Sequence, residues 1–322
     1  MRNKSKHKLK TYEICDSPLY KLRSKKKLLS LLYMSKEEIG IAVQDTDNYV
    51  VFETIRKKGK SRTIQHPKDR HKEIHCRLAN LLIKIKVPNY LHSGRKEHSY
   101  VTNANQHLGE KRVLTTDISA FFQSTARDNV FCFFLNIMKC SSDVADTLSH
   151  ICTYNGHIPT GSKLSMPLAF WSNLRMFDQL EKLSIKHNVC MSVYVDDITF
   201  SGNSINRLFL STVRKIITSN GHTPHPEKTK IFGKKDIKVI TGVVINGDDT
   251  LITNKQNKLI FQSFVEWKAS RDEPLTERLI TQKLLGRLNA LSMIDPKLKD
   301  KAKSVTSYKK IVIKYVTTQR VF

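Results

Sequence analysis

No C-x-x-C pair occurs in the sequence. Its six cysteines, Cys15, Cys76, Cys132, Cys140, Cys152 and Cys190, are scattered. That spacing argues against a zinc site or a disulfide framework and for buried or free thiols in a reducing cytosol. Long apolar runs are missing too, which excludes a helical membrane span. The basic opening MRNKSKHKLK has no apolar stretch behind it, so no secretory signal is expected. There is no internal repeat and no low-complexity segment. With 9 Pro, 12 Gly and 39% hydrophobic residues, the chain is neither fibrous nor disordered. Its 322 residues allow one large domain or two ordinary ones with a real core.

Acid is the other scarcity: 29 Asp and Glu face 55 Lys and Arg, a net charge of +26. The bases crowd both ends, in KLRSKKK and IRKKGKSR near the front and KLKDKAKSVTSYKK near the back. Such a surface attracts polyanions, because each neutralised phosphate releases counterions. Nucleic acid is therefore the expected partner. No amphipathic segment couples the basic clusters to a broad apolar face, so no membrane partner is expected.

The hydrophobic pattern predicts basic helices over 1–45, a β-hairpin over 48–66 and a helix over 68–86 with Ile74, Leu78, Leu81, Leu82 and Ile85 on one side. A strand over 111–117 ends in Asp117, and helix-like sequence follows to about 153. Pro159 and Gly161 interrupt the pattern before a second helix over 164–187. Strands over 189–195 and 198–201 flank Asp196 and Asp197. A helix over 204–220, a strand near 228–233 and a short hairpin in VITGVVINGDDTLIT come next. The remainder is helical, with Ile260, Phe264 and Trp267 on one face and Ile280, Leu284, Leu288 and Leu291 on another. Strands interleaved with helices and then a helical tail predict an α+β core with a C-terminal helical domain.

Asp196 and Asp197 sit in the most apolar hairpin of a basic chain. Two readings of the pair stand: an Asp-rich turn, or half of a metal site. Its flanks are strand-like, and adjacent carboxylates repel unless a cation lies between them. Asp117 ends a second apolar strand, VLTTD. Oxygen ligands from two strand ends suit Mg²⁺, which binds through a few carboxylates plus substrate phosphates. Two such ions activate an attacking hydroxyl and stabilise leaving pyrophosphate.

The stretch VYVDDITFSG resembles the Y-x-D-D hairpin of reverse transcriptases, and TTDISAFFQST resembles their other palm acid motif, D-x-x-x-x-[FY]. The likeness is to bacterial retron reverse transcriptases in particular. NANQH at 103–107 fits their N-A-x-x-H element. ITGVVIN at 240–246 resembles their V-T-G element with Ile240 for Val, and HPEKTKIFG resembles their lysine-bearing segment. The elements occur in the family's order over nearly the whole chain.

The resemblance implies a right-hand polymerase fold with fingers at 46–112, a palm of antiparallel sheet and helices at 113–250, a helical thumb at 251–322 and a basic helical extension at 1–45. It implies that Asp117, Asp196 and Asp197 are catalytic and, with the Ile118 carbonyl, bind two Mg²⁺ with the dNTP. Phe122 is then the ring beneath the sugar that excludes a 2′-hydroxyl, while one of Phe121 and Phe122 packs the core. Arg62 lies across the triphosphate, with Lys58 and Lys60 as lesser candidates. Lys228 positions or protonates the pyrophosphate. Thr160 and Gly161 belong to the loop facing the nascent base pair. There the family has P-Q-G-x-P-x-S-P and this chain has IPTGSKLSMPLA: Pro159, Gly161 and Ser165 match, while Thr160, Lys163 and Met166 depart.

Asn103, His107, Thr241 and Gly242 are the expected RNA-binding positions, Asn103 and His107 having a structural hydrogen-bond pair as the alternative. Thumb lysines Lys297, Lys299, Lys301, Lys309 and Lys310 are expected to grip the same RNA. The implied activity is reverse transcription of part of a dedicated structured non-coding RNA, primed from a 2′-hydroxyl, to give a branched RNA–DNA. It takes place in the bacterial cytoplasm, in anti-phage defence with a separate effector protein. The alternatives are a group II intron or abortive-infection reverse transcriptase, an RNA-dependent RNA polymerase, and a catalytically silent RNA-binding module.

Overall fold

The computed structural model describes residues 11–44, 47–55, 59, 61–270 and 274–318. These form two compact units, one of residues up to 98 and 114–231, the other of 99–113 and 232 onward.

The first unit opens with short helices α1 (Lys25–Leu32) and α2 (Lys36–Val43). Ser35 caps α2 in a capping box with Glu38, which satisfies two otherwise orphaned N–H groups. The predicted hairpin is β1 (Tyr49–Ile55) and β2 (Ser61–Pro67), antiparallel with Thr54 opposite Arg62. Lys58 and Lys60 lie outside the described residues. α3 (Asp69–Leu82) buries Ile74, Leu78, Leu81 and Leu82 on the predicted face. Fully burying such a side chain stabilises the fold by about 1.5–3 kcal/mol.

The helical stretch predicted to run to about 153 is broken into α5 (Phe121–Ser124), α6 (Arg127–Cys132), a π-helical turn at Phe133–Ile137 and α7 (Ser142–Cys152). The predicted 164–187 helix divides at Asn173 into α8 (Ser165–Ser172) and α9 (Leu174–Lys186). The break has a polar cause. Asn173 donates to Thr125 Oγ1 at 2.9 Å and accepts from His222 Nε2 at 2.7 Å, which fixes it between neighbouring elements. β4 (Cys190–Tyr194) and β5 (Asp197–Ser201) follow, then α10 (Arg207–Ser219), capped by Asn206. With β3 (Val113–Asp117) and β6 (Lys230–Phe232) they complete a sheet of order β4-β5-β3-β6. β5 is central and almost wholly buried, with Ile198 and Phe200 alternating with the buried hydroxyl residues Thr199 and Ser201.

In the second unit, α4 (Tyr100–Asn105) packs with a three-stranded meander, β7 (Lys238–Ile240), β8 (Val243–Asn246) and β9 (Asp249–Ile252). The sequence reading expected only a short hairpin here. Two two-residue turns make the third strand possible: Thr241–Gly242, with φ of 46° and 83°, and Gly247–Asp248, with Gly247 at 60°. Positive φ at these positions is what tight hairpins demand. Ile240, Val243 and Ile245 share one core with Ile260, Trp267, Leu284 and Leu288. That shared core is why the meander groups with α11 (Asn254–Ala269), α12 (Pro274–Leu291) and α13 (Lys297–Thr318). The described cysteines are all free. Among the described residues, no helix is long and apolar enough to cross a membrane.

Candidate active site

β4 and β5 are joined by a two-residue turn, Val195–Asp196, with Tyr194 opposite Asp197. Asp196 therefore occupies the turn, and Asp197 opens β5 rather than lying between strands. Val195 has φ of 61°, an outlier for a β-branched residue. It is held there from outside the hairpin: Val195 N–H donates to Ser93 Oγ at 3.1 Å. The segment before Ser93 pairs along β4, with Val193 N–H to Tyr90 O at 2.7 Å and His92 N–H to Val193 O at 2.9 Å.

β3 brings the third acid. Beyond its end, Ser119 N–H donates to Thr223 O at 2.8 Å and His225 N–H to Asp117 O at 2.7 Å, with Pro224 opposite Ile118. Ile118 therefore directs its own backbone groups to the other side, where its N–H meets Asp196 O at 3.0 Å.

Carboxylate oxygens of Asp117, Asp196 and Asp197 lie within 4.8 Å of one another, the only such metal-competent group among the described residues. Lys228 Nζ donates to Asp117 Oδ1 at 2.8 Å, and Asp117 is only 3% exposed. Burial, followed by the charges of Asp196 and Asp117, pushes the Asp197 carboxyl up to about 7. Burial and Asp117 also raise Asp196, with Lys228 and Arg62 opposing them. The Lys228 ammonium is lowered by burial but raised more by its bond to Asp117 and the charges of all three acids, so its net shift is upward. Three acids against so little positive charge, presented as oxygen donors, fit hard divalent cations.

The other expected residues divide. Arg62, on β2, is near enough for its charge to be felt at Asp196. Phe121 is core, edge-on to Phe177 and tilted against His222, whereas Phe122 is half-buried and packs against the same core. Thr160 does not present a free hydroxyl: it donates to Thr63 O at 2.9 Å and accepts from Gln65 N–H at 3.3 Å. The close approach that Gly161 permits is to β2. A Cβ there would stand 2.7 Å from Gln65 O.

Asn103 and His107 are fully buried, so neither lies on an RNA-facing surface. Nor does Asn103 form the alternative hydrogen-bond pair, since both its side-chain polar atoms lack partners. α4 ends at Asn105, so a single helical turn does not carry both residues. Thr241 donates through its hydroxyl to Tyr100 O at 2.8 Å, and Gly242 is exposed. Lys297, Lys299 and Lys301 are exposed on α13, while the side chains of Lys309 and Lys310 lie outside the described residues. Sequence reasoning missed Ser93, Gln65 and the histidines of α3. Ser93, Gln65 and His75 have partners about 75–100 residues away, His71 bonds Tyr49 22 residues away, and no local motif marks them.

A family model described as reverse transcriptase (RNA-dependent DNA polymerase) matches residues 55–245. The retron Ec86 reverse transcriptase of Escherichia coli is 26% identical over 233 residues, covering 70% of this chain and 72% of that protein. The retron Ec48 enzyme of Escherichia coli is 25% identical over 309 residues, covering 89% and 75%. The retron Se72 enzyme of Salmonella heidelberg is 30% identical over 152 residues, covering 46% of this chain and only 39% of its own length. The resemblance to bacterial retron reverse transcriptases thus extends from motifs to long stretches of aligned sequence. The match to more than half of the chain makes it a member of the reverse transcriptase family, an RNA-directed DNA polymerase whose helices and antiparallel sheets build the right-hand fold.

Proposed function

We propose that this polymerase is of the retron type. It copies part of a dedicated structured non-coding RNA from a 2′-hydroxyl of that RNA and yields a branched RNA–DNA in the bacterial cytoplasm. Its place is anti-phage defence alongside a separate effector protein. The observation that carries the catalytic part is the convergence of Asp117, Asp196 and Asp197 within 4.8 Å. Kinship with enzymes named for their retrons supports the choice of RNA.

The three aspartates and the Ile118 carbonyl would hold two Mg²⁺. When bound, they would supply activation of the attacking hydroxyl and neutralisation of charge on the triphosphate. Arg62 grips the triphosphate with a planar guanidinium. Phe122 excludes the 2′-hydroxyl of a ribonucleotide. Lys228, already charged beside Asp117, donates its proton to departing pyrophosphate. Fingers, palm and thumb follow the chain in that order. Because the meander shares the core of α11 and α12, we place the start of the thumb unit at about residue 232. RNA contact in that unit falls to Gly242 and the exposed lysines of α13. Asn103, His107 and Thr241 act from behind the surface.

The test is to sequence the nucleic acid that copurifies with the protein, then supply that RNA with dNTPs and Mg²⁺. A branched product from the wild type and none from Asp197→Asn is expected. Incorporation undiminished in Asp197→Asn would leave a silent RNA-binding module as the better reading. A linear product primed from a free 3′ end would favour another bacterial reverse transcriptase class.

A further inference from the structure

The loop that departs from its family pattern is fastened to β2 by one of the three residues that depart. Thr160 Oγ1 donates to Thr63 O at 2.9 Å and accepts from Gln65 N–H at 3.3 Å. The contact is reciprocal: Thr160 N–H donates to Gln65 Oε1 at 3.3 Å, and Gly161 N–H donates to Gln65 O at 3.1 Å. Gln65 is buried. Three backbone groups of β2 are thus satisfied by two loop residues.

The far side of the loop is also held. His75, on α3, donates from Nε2 to Ile151 O at 2.8 Å, which leaves Nδ1 to accept from Ser162 Oγ at 2.7 Å. Ser162 Oγ in turn accepts from Leu164 N–H at 3.1 Å. The loop is pinned between α3 and β2, and β2 carries Arg62 one residue before Thr63.

We propose that Thr160 and Gln65 form a clasp that sets the position of Arg62, making them positioning residues for the incoming deoxynucleoside triphosphate rather than ligands to it. This rests on the reading of Arg62 as the triphosphate-binding residue. A threonine hydroxyl is short and both donates and accepts, so it serves the Thr63 carbonyl and the Gln65 N–H at once. Valine has the same shape and does neither.

The test uses full-length protein with poly(rA)/oligo(dT) and dTTP, and compares KM with kcat. Thr160→Val is expected to raise KM roughly tenfold while kcat changes less than about threefold. Thr160→Ser, which keeps the hydroxyl, stays near wild type. Arg62→Ala also raises KM, and adding Thr160→Val to it raises KM little further, because the clasp acts through Arg62. If Arg62→Ala raises KM and Thr160→Val does not, the clasp is overturned and the Arg62 reading survives. The clasp is equally overturned if the two effects multiply in the double variant. If Arg62→Ala leaves KM unchanged, both fall. Should Thr160→Val fold poorly by thermal melting, Gln65→Met removes the acceptor for Thr160 N–H from the other side. It is expected to give the same rise in KM, and an unchanged KM there overturns the clasp.

Discussion

Lys228 Nζ lies 2.8 Å from Asp117 Oδ1, so one of the three clustered acids is already engaged by the protein's own cation. A divalent ion must compete with that ammonium for the same carboxylate. Lys228→Met should therefore bind Mg²⁺ more tightly, read as a lower midpoint in a Mg²⁺ titration of thermal stability. At saturating Mg²⁺ the same variant should incorporate dTTP roughly 10–100-fold more slowly, having lost a proton donor. Weaker Mg²⁺ binding would contradict the competition.

Asp197 holds its carboxyl at about 7, against an ordinary 3.8. The folded state thus binds more protons than the unfolded state between these values, and stability falls as pH rises through that window. In EDTA, Asp197→Asn should melt higher than wild type at pH 8, with a smaller advantage at pH 5. The same variant should lose roughly a thousandfold in incorporation. Lower stability at pH 8 would show that the acids do not repel one another in the metal-free protein.

Phe121 and Phe122 are adjacent but differ in burial, which separates two effects of ring removal. Phe121→Ala should destabilise by about 3–5 kcal/mol and leave the preference for deoxynucleotides intact. Phe122→Ala should cost less stability and raise ribonucleotide incorporation relative to deoxynucleotide by roughly tenfold or more. Chemical denaturation and competition between dTTP and UTP measure the two. An unchanged sugar preference in Phe122→Ala would remove the gate assignment.

Burial holds His71 and His222 at about 4 and His75 at about 3, all below the ordinary 6.5. The unfolded chain takes up these protons first, so the histidines' contribution is complete above about 6.5 and is lost as pH falls toward 4. Measured in Asp197→Asn, which lacks the opposing pH dependence of that carboxyl, the urea midpoint should decline over that range. His222→Asn should lower stability at pH 7.5 but flatten the decline. A midpoint independent of pH between 7 and 4.5 would contradict the burial of these rings.

The clustered acids were legible because acids at the ends of apolar strands are conspicuous in a basic chain. Asp117, Asp196 and Asp197 converge as the motifs implied. Hydrophobic patterns located β4, β5 and α3 because residues on them must be buried, whereas β1 and β2 were marked by β-forming residues on either side of a glycine-containing turn, most of β1 being exposed. What stayed hidden depends on distant partners. The helix over 164–187 breaks at Asn173 because His222 and Thr125 reach it, and neither is nearby in sequence. Thr160 stands in the loop expected to face the nascent base pair, and no local feature of the sequence ties its hydroxyl to Thr63 on β2. Asn103 and His107 were expected to contact RNA from the resemblance alone, yet both are fully buried.

The bond from Ile118 N–H to Asp196 O joins strands whose acids stand at positions 117 and 196, with five helices between them. In any partly folded form where that long excursion has not closed, the two sides of the cluster stay apart, hydrated and at their ordinary acidity. Their mutual repulsion then falls on the final docking of β3 beside β5. Divalent salt present during refolding should therefore speed that last step more than the earlier collapse of the helices, which makes the metal a folding ligand as well as a reactant's partner.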